Sequence, residues 1–270
     1  MKNKGKHTES FKITRYDRKG SRSGSHEFIG EEPLLIRIDE KPYSVVMRTP
    51  GEEMFHAAGF CLGEGVVSSP DDFTTIGYCE DLDPNVIDIR LKPERRQKIL
   101  DILDRRSFIS QTSCGICGKE MLKDLYQRLT PAENSFKLDL SQIYDCIRQL
   151  PQRQKYYRKT RASHAAMIFD RGLKRISFAE DVGRHNALDK AIGEAFVNRK
   201  LTEAAIAVLS SRISYELVQK AARGHIPVMI GMSRPTALAA EMGRSLNMTL
   251  ACTGKSSELI VVSGEERIVS

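Results

Sequence analysis

Cys114-Gly115-Ile116-Cys117 places two thiols one turn apart, inside Thr112-Ser113-Cys114-Gly115-Ile116-Cys117-Gly118-Lys119. Met121, Leu122, Leu125 and Leu129 follow as an apolar stripe at helix spacing. The pair therefore belongs to a glycine-containing turn at or just before a helix N-terminus. Unpaired N–H groups and the positive end of the helix dipole favour an anion there, so a cysteine pKa falls and the thiolate population rises. Three chemistries fit two such thiols. A redox dithiol of the thioredoxin kind usually follows a strand in a βαβ unit, whereas residues 99–108 read as a helix and a short extended run. A structural zinc site needs four ligands, and Cys61, Cys79, Cys146 and Cys252 are scattered singly. Sulfur or acyl transfer by a nucleophilic thiol is the third. An inert buried pair is the bland reading, and the motif alone does not choose among the three chemistries.

A second stretch, Glu180-Asp181-Val182-Gly183-Arg184-His185-Asn186-Ala187-Leu188-Asp189-Lys190, is dense in polar side chains and joins a strand to a helix. Asn186 is expected to cap that helix, with Asp189 accepting from its first turn. Capping leaves Glu180, Asp181, Arg184 and His185 unexplained, unless they form a solvated loop.

Positioning these groups takes a folded body, and the chain is long enough for one large domain or two ordinary ones: 270 residues, 40% hydrophobic. No apolar run nears the ~20 residues of a membrane helix. No secretory h-region opens the chain. Paired thiols in a cysteine-poor protein suit the reducing cytoplasm. The net charge of +7 invites a nucleic-acid reading. Its location argues against one, because residues 1–26 carry eight basic side chains against two acidic ones, six of the seven charges. That Gly/Ser-rich segment (residues 1–27) reads as a solvated, mobile tail.

From residue 28 a small α+β unit is expected, ending near residue 107. It contains strands 34–38 and 43–47 around the turn Asp39-Glu40-Lys41-Pro42, a helix after Thr49-Pro50-Gly51-Glu52-Glu53, strand 86–91 and helix 93–103. Residues 108–270 alternate strands (165–169, 175–179, 205–209, 227–232, 249–252, 259–262) with helices (187–196, 215–222, 237–246). Such alternation implies a layered α/β domain with a partly parallel, mixed sheet. The chain as a whole is α+β.

Five stretches make the sequence closely similar to the FdhD family, the formate dehydrogenase accessory sulfurtransferases. They are Met47-Arg48-Thr49-Pro50-Gly51, Gly59-Phe60 with Glu64-Gly65, Ser113 to Lys119, Glu180 to Lys190, and Ser214 to Ala221. The likeness runs from about residue 28 to the C-terminus. It implies a homodimeric, cytoplasmic protein that takes sulfur from a cysteine desulfurase and delivers it to the molybdenum bis-guanine-dinucleotide cofactor of formate dehydrogenase. It also implies a larger domain of cytidine-deaminase-like fold. The deaminase zinc signature, His-x-Glu before Pro-Cys-x-x-Cys, has no counterpart around His164-Ala165-Ala166, so no zinc is expected.

On this resemblance Cys114 carries the sulfur as a persulfide and Cys117 assists it. The recipient, with GDP or GTP as partial mimics, needs helix N-termini and cations. Two strand-to-helix junctions offer them, Ser210-Ser211-Arg212 and Ser233-Arg234-Pro235-Thr236, both expected at carboxyl ends of strands. Arg184 and His185 are assigned to the same site. The family further implies contacts along Thr253-Gly254-Lys255-Ser256-Ser257-Glu258, where Lys255 stands in place of the expected Arg and the usual aromatic residue is missing. Lys cannot reproduce a bidentate guanidinium contact. Two other functions fit the same motifs: a non-catalytic, cofactor-binding chaperone of the apo-dehydrogenase, and a thiol-disulfide oxidoreductase.

Overall fold

The computed structural model describes residues 5–78, 84–99, 129–133, 136–254 and 258–269. The segment expected to be a mobile tail is instead a long antiparallel hairpin: β1 (Thr8–Asp17) pairs with β2 (Gly20–Ile29), Asp17 opposite Gly20. Phe11, His26 and Phe28 lie edge to face along it, with ring centroids 5.5 Å apart in each pair. Its other side is serine- and threonine-rich, and this polarity hid the strand alternation.

β3 (Glu32–Ile38) and β4 (Lys41–Arg48) pair around Asp39 and Glu40, whose φ values of 48° and 68° form the left-handed two-residue turn that hairpins favour. The chain continues through α1 (Glu53–Gly63), β5 (Phe73–Tyr78), β6 (Val86–Leu91) and α2 (Pro93–Lys98). The sheet order is β4-β3-β6-β5, with β3 parallel to β6. One face of this sheet, Leu34, Ile36, Ile87 and Ile89, is fully buried.

The larger sheet follows β7 (Leu138–Asp139), α3 (Leu140–Arg153) and α4 (Lys155–Thr160). It contains β8 (His164–Asp170), β9 (Arg175–Asp181), β10 (Ala204–Arg212), β11 (Val228–Ser233), β12 (Thr249–Thr253) and β13 (Leu259–Ser263) in the order β13-β12-β11-β10-β8-β9. β10, β11 and β12 are mutually parallel. β8 runs against both β9 and β10, so β9 points the same way as the parallel trio. A short β14 (Ile268–Val269) pairs with β7. Three helices connect these strands: α5 (Arg184–Val197), α6 (Tyr215–Arg223) and α7 (Ala237–Ser245).

Alternation along the strands feeds two cores. Met167, Phe169, Ile206 and Val208 pack with Ile143, Cys146 and Leu150 of α3. Ala166, Ile168, Ala207 and Leu209 face a larger core that also holds Leu34, Ile36, Ile87 and Ile89 of the smaller sheet. Helices α1 and α5 join the two sheets at a close crossing. A Cβ on Gly59 would lie 1.9 Å from the Asp189 carbonyl oxygen, and one on Gly193 would lie 1.8 Å from that of Phe55. Only glycine fits at either position.

Candidate functional site at the carboxyl edge of the larger sheet

Strands β9 to β12 bring their carboxyl ends to one edge, and three of them lead directly into helices. At the end of β9, Gly183 occupies the N-cap position and α5 starts at Arg184. At the end of β10, Ser214 is the N-cap residue of α6, yet its hydroxyl makes no capping bond. It lies 3.1 Å from His185 Nε2, which is also 2.8 Å from Glu216 Oε2. The His185 hydrogen bond is the main influence holding the Glu216 carboxyl below its usual pKa. An ionised carboxylate only accepts, so Nε2 carries a proton and donates it to Glu216. Serine and carboxylate meet the same ring nitrogen, which excludes a serine–histidine–acid relay, where they must occupy opposite ones.

Around this pair the charge is mainly positive. Burial, then the neighbouring Arg212, lowers the pKa of Arg184. Its buried Nε has no hydrogen-bond partner. Burial, with the charges of Arg184 and His185, lowers the pKa of His164. Two guanidinium groups and two imidazoles thus gather beside Glu216, while the nearby carboxylates Asp181 and Asp189 are each paired with a lysine, an arrangement suited to an anion. Ser210 is turned inward: its Oγ accepts from the Ala165 N–H at 2.8 Å and lies 3.4 Å from His164 Nδ1.

The second junction is tied to the first. The Thr236 N–H donates to the Ile213 carbonyl at 3.0 Å, and Thr236 Oγ1 caps α7 by accepting from the Ala239 N–H. Ser233 and Arg234 are exposed. Arg234 lies near enough to Cys252 to oppose the upward shift that burial gives that thiol. Thr253 Oγ1 donates to Met232, the Gly254 N–H to Glu258, and Ser211 Oγ to Arg212, each to the backbone carbonyl. Of the residues the sequence nominated, Arg184, His185, Arg212, Ser233 and Arg234 keep polar groups available to a ligand. The hydroxyls of Ser210, Ser211, Thr236 and Thr253 are committed within the protein. Lys255, Ser256 and Ser257 lie outside the described residues, as do Cys114, Cys117 and Cys79. Cys61, Cys146 and Cys252 are buried thiols outside any disulfide.

The rest of the 180–190 stretch binds the molecule together. Asn186 does not cap α5. Its amide donates to the Met47 carbonyl at 2.7 Å and to Asp181 Oδ1 at 2.9 Å. Asp181, fully buried, accepts from the Thr49 N–H and lies 2.8 Å from Lys190 Nζ, which also donates to the Thr49 carbonyl. Asp189 does not accept from the first turn but pairs with Lys220. Glu180 accepts from the Tyr156 and Tyr157 N–H groups and from Ser163 Oγ, each at 3.0 Å, and so caps α4 from another strand. Apart from Asp181, five residues from Asn186 and nine from Lys190, each partner lies at least 17 residues away, beyond the reach of local capping rules.

An α+β protein with two main sheets and a cationic edge on the larger one is the class that this fold defines. The FdhD/NarQ family profile matches residues 29–269, and the chain belongs to that family. Among curated relatives, the "Sulfur carrier protein FdhD" of Streptomyces coelicolor is 33% identical over 98% of this chain and 96% of its own length. The proteins of the same name from Mycobacterium tuberculosis and Sulfolobus acidocaldarius are each 34% identical, over 88% and 92% of this chain and 90% and 94% of their own lengths. A crystal structure from Desulfotalea psychrophila, provisionally described as a formate dehydrogenase accessory protein, shares the fold with a TM-score of 0.77 at 21% identity. It covers 98% of this chain and 100% of its own.

Proposed function

We propose that this protein carries sulfur for formate dehydrogenase maturation, as its relatives' names describe for them. In this reading the Cys114 thiolate attacks the outer sulfur of a cysteine desulfurase persulfide. The desulfurase leaves as its own thiolate, and Cys114 holds Cys–S–SH. Cys117 shields that persulfide or attacks its inner sulfur, releasing hydrosulfide and leaving a disulfide for a thiol reductant. The recipient is the anionic molybdenum bis-guanine-dinucleotide cofactor, written here as substrate. Arg184, Arg212, His185, Ser233 and Arg234 bind its phosphates at the sheet edge, with Lys255, Ser256, Ser257 and Glu258 completing the contact. The relay is cytoplasmic, uses thiols alone and operates in a homodimer.

The observation that carries this reading is the neighbouring pair Arg184 and Arg212, close enough for the Arg212 charge to lower the Arg184 pKa. Among the described residues, neither makes an ion pair with a carboxylate, and the exposed Arg212 side chain is open to an incoming acceptor. The test has two parts. Mixing with a desulfurase and cysteine should add one sulfur to the Cys114 peptide, removable by dithiothreitol. Arg212→Ala and Arg234→Ala should each weaken GDP binding about tenfold in calorimetry, near the worth of one charged hydrogen bond, and leave sulfur loading intact. Sulfur found only on Cys61, Cys79, Cys146 or Cys252, or GDP binding unchanged in the double variant, would refute the respective half.

A further inference from the structure

The β1–β2 ribbon takes no part in the sheet-edge site and enters neither core, yet one of its faces is chemically ordered. Directly opposed residues of an antiparallel pair share a face, as do alternate residues along each strand. The register therefore puts Phe11, Ile13 and Arg15 on one side with Phe28, His26 and Arg22. Phe11 and Phe28 remain 53% and 43% exposed and pack edge to face on each other. Towards the turn, Arg15 stands directly opposite Arg22, and like charges so placed repel. Asp17 lies 3.7 Å from Arg22, but among the described residues no carboxylate pairs with Arg15. Arg18 and Lys19 form the turn itself and add two further cations. A two-stranded ribbon of this kind is at best marginally stable in water until another surface covers it. Aromatic rings and arginines exposed together are the composition of a protein interaction surface.

The ribbon is rooted beside the ligand edge. Its two ends are joined where the Gly30 N–H donates to the His7 carbonyl at 2.7 Å. The His7 ring lies flat against Tyr156 of α4, with centroids 5.0 Å apart and planes 14° from parallel. It also fills the space beside Gly51, where a Cβ would lie 2.8 Å from His7 Nε2. Tyr156 is held in turn by Glu180, near the carboxyl end of β9, whose carboxylate accepts from its N–H. From there the chain passes through Gly183 into Arg184 and the cationic edge. Strands of this length span roughly 33 Å, long enough to reach a protein docked at that edge.

We propose that this face of the ribbon docks the protein that accepts the cofactor, through an acidic surface bordered by apolar residues. Carboxylates of the partner neutralise Arg15 and Arg22, and its apolar border covers Phe11 and Phe28. Two observations favour a protein over a nucleic acid. Glu9 and Asp17 share the aromatic face and repel phosphates. The two rings close on each other at 87° instead of lying open to stacked bases. The identity of the partner, apo-formate dehydrogenase, rests on the reading above; the acidic chemistry of its surface does not.

The test measures binding of the full chain to purified apo-formate dehydrogenase by biolayer interferometry. Arg15→Glu puts a carboxylate opposite Arg22 and favours the ribbon's own pairing, so a purely structural role predicts unchanged or tighter binding. Docking predicts at least about tenfold weaker binding, largely through slower association, with the difference shrinking as salt is raised. Phe11→Ser with Phe28→Ser should weaken binding at every salt concentration. Thr14→Ala with Ser23→Ala, on the opposite face, should not. GDP binding and sulfur loading should stay at parent levels in every ribbon variant, and loss of either overturns the proposal. A parent that neither binds GDP nor loads sulfur, yet loses the dehydrogenase on Arg15→Glu, would sink the sulfur-carrier reading and leave the docking surface standing. Absent binding by the parent or unchanged affinity in Arg15→Glu overturns the proposal. So does a shift from dimer to monomer in light scattering of Arg15→Glu, which makes a second copy the occupant. Tighter binding of the parent to a labelled single-stranded uridine RNA than to the dehydrogenase also overturns it, in favour of a nucleic acid.

Discussion

Lys220 Nζ lies 2.7 Å from Asp189 Oδ1, with the two side chains only 9% and 2% exposed. Burial pushes the Asp189 carboxyl up more than Lys220 pulls it down. Such a pair adds little net stability, but removing one partner strands the other charge. Lys220→Met should therefore cost about 3–5 kcal/mol in urea denaturation. Lys220→Met with Asp189→Leu should recover much of that. A single variant as stable as the parent would mean that water reaches the carboxylate.

Replacing either crossing glycine should be severe. Gly193→Ala puts a methyl group 1.8 Å from a backbone carbonyl oxygen, and no side chain can yield there. The expected loss is about 3 kcal/mol or more, at or beyond the upper end for overpacking. Gly77→Ala is the control, because its Cβ would meet nothing within 4 Å. Equal unfolding midpoints for the two variants would contradict the close approach of α1 and α5.

Stability should fall with acid partly through His56. Its side chain is fully buried, and burial, then the charges of Lys190, Lys220 and Arg48, holds its pKa well below the imidazole value. The unfolded chain takes up this proton near pH 6.5 and the folded one does not, so stability is lost as pH falls below about 6.5. One group contributes at most about 1.4 kcal/mol per pH unit. Glu52, Asp189 and Glu194, raised by burial, act in the opposite direction. The quantity to measure is therefore the difference in slope between the parent and His56→Asn from pH 7 to 5. Parallel slopes would mean that His56 is protonated in the fold.

Glu180→Ala should release the start of α4. Three hydrogen bonds to a carboxylate only 5% exposed are lost. Each is worth roughly 1.5–3 kcal/mol when one partner is charged, less what water recovers. Amide exchange at Tyr156 and Tyr157 should accelerate while that of β10 stays slow. Unchanged protection at both tyrosines would remove Glu180 from its capping role.

The legible parts of the sequence were those governed by neighbours along the chain. β10, β11 and β12 are apolar runs buried on both faces; the predicted strands 205–209 and 249–252 lie inside β10 and β12, and 227–232 starts one residue ahead of β11. The Asp39–Glu40 turn was also local. α3 is less legible, although Asp139 and Gln142 form a capping box and Ile143, Cys146 and Leu150 repeat at helix spacing. That signal is readable, but Pro151 and the polar residues around it obscured it. The hairpin escaped because only Phe11, Ile13 and Phe28 mark its apolar side. Arg184, Arg212 and Arg234 could be picked out because arginine after a strand is conspicuous. The committed hydroxyls of Ser210 and Thr253 could not, since their partners come from other strands.

The contact of Gly59 and Gly193 with opposing backbone has a thermodynamic consequence. Two helices touching through main-chain atoms leave no side-chain layer to loosen gradually, and the smaller sheet has no core apart from the one it shares with the larger. The described body should therefore lose both sheets together, in a single cooperative calorimetric transition. Its least protected amides should be those of the β1–β2 ribbon, which contributes no residue to either core and can fray without cost to that transition.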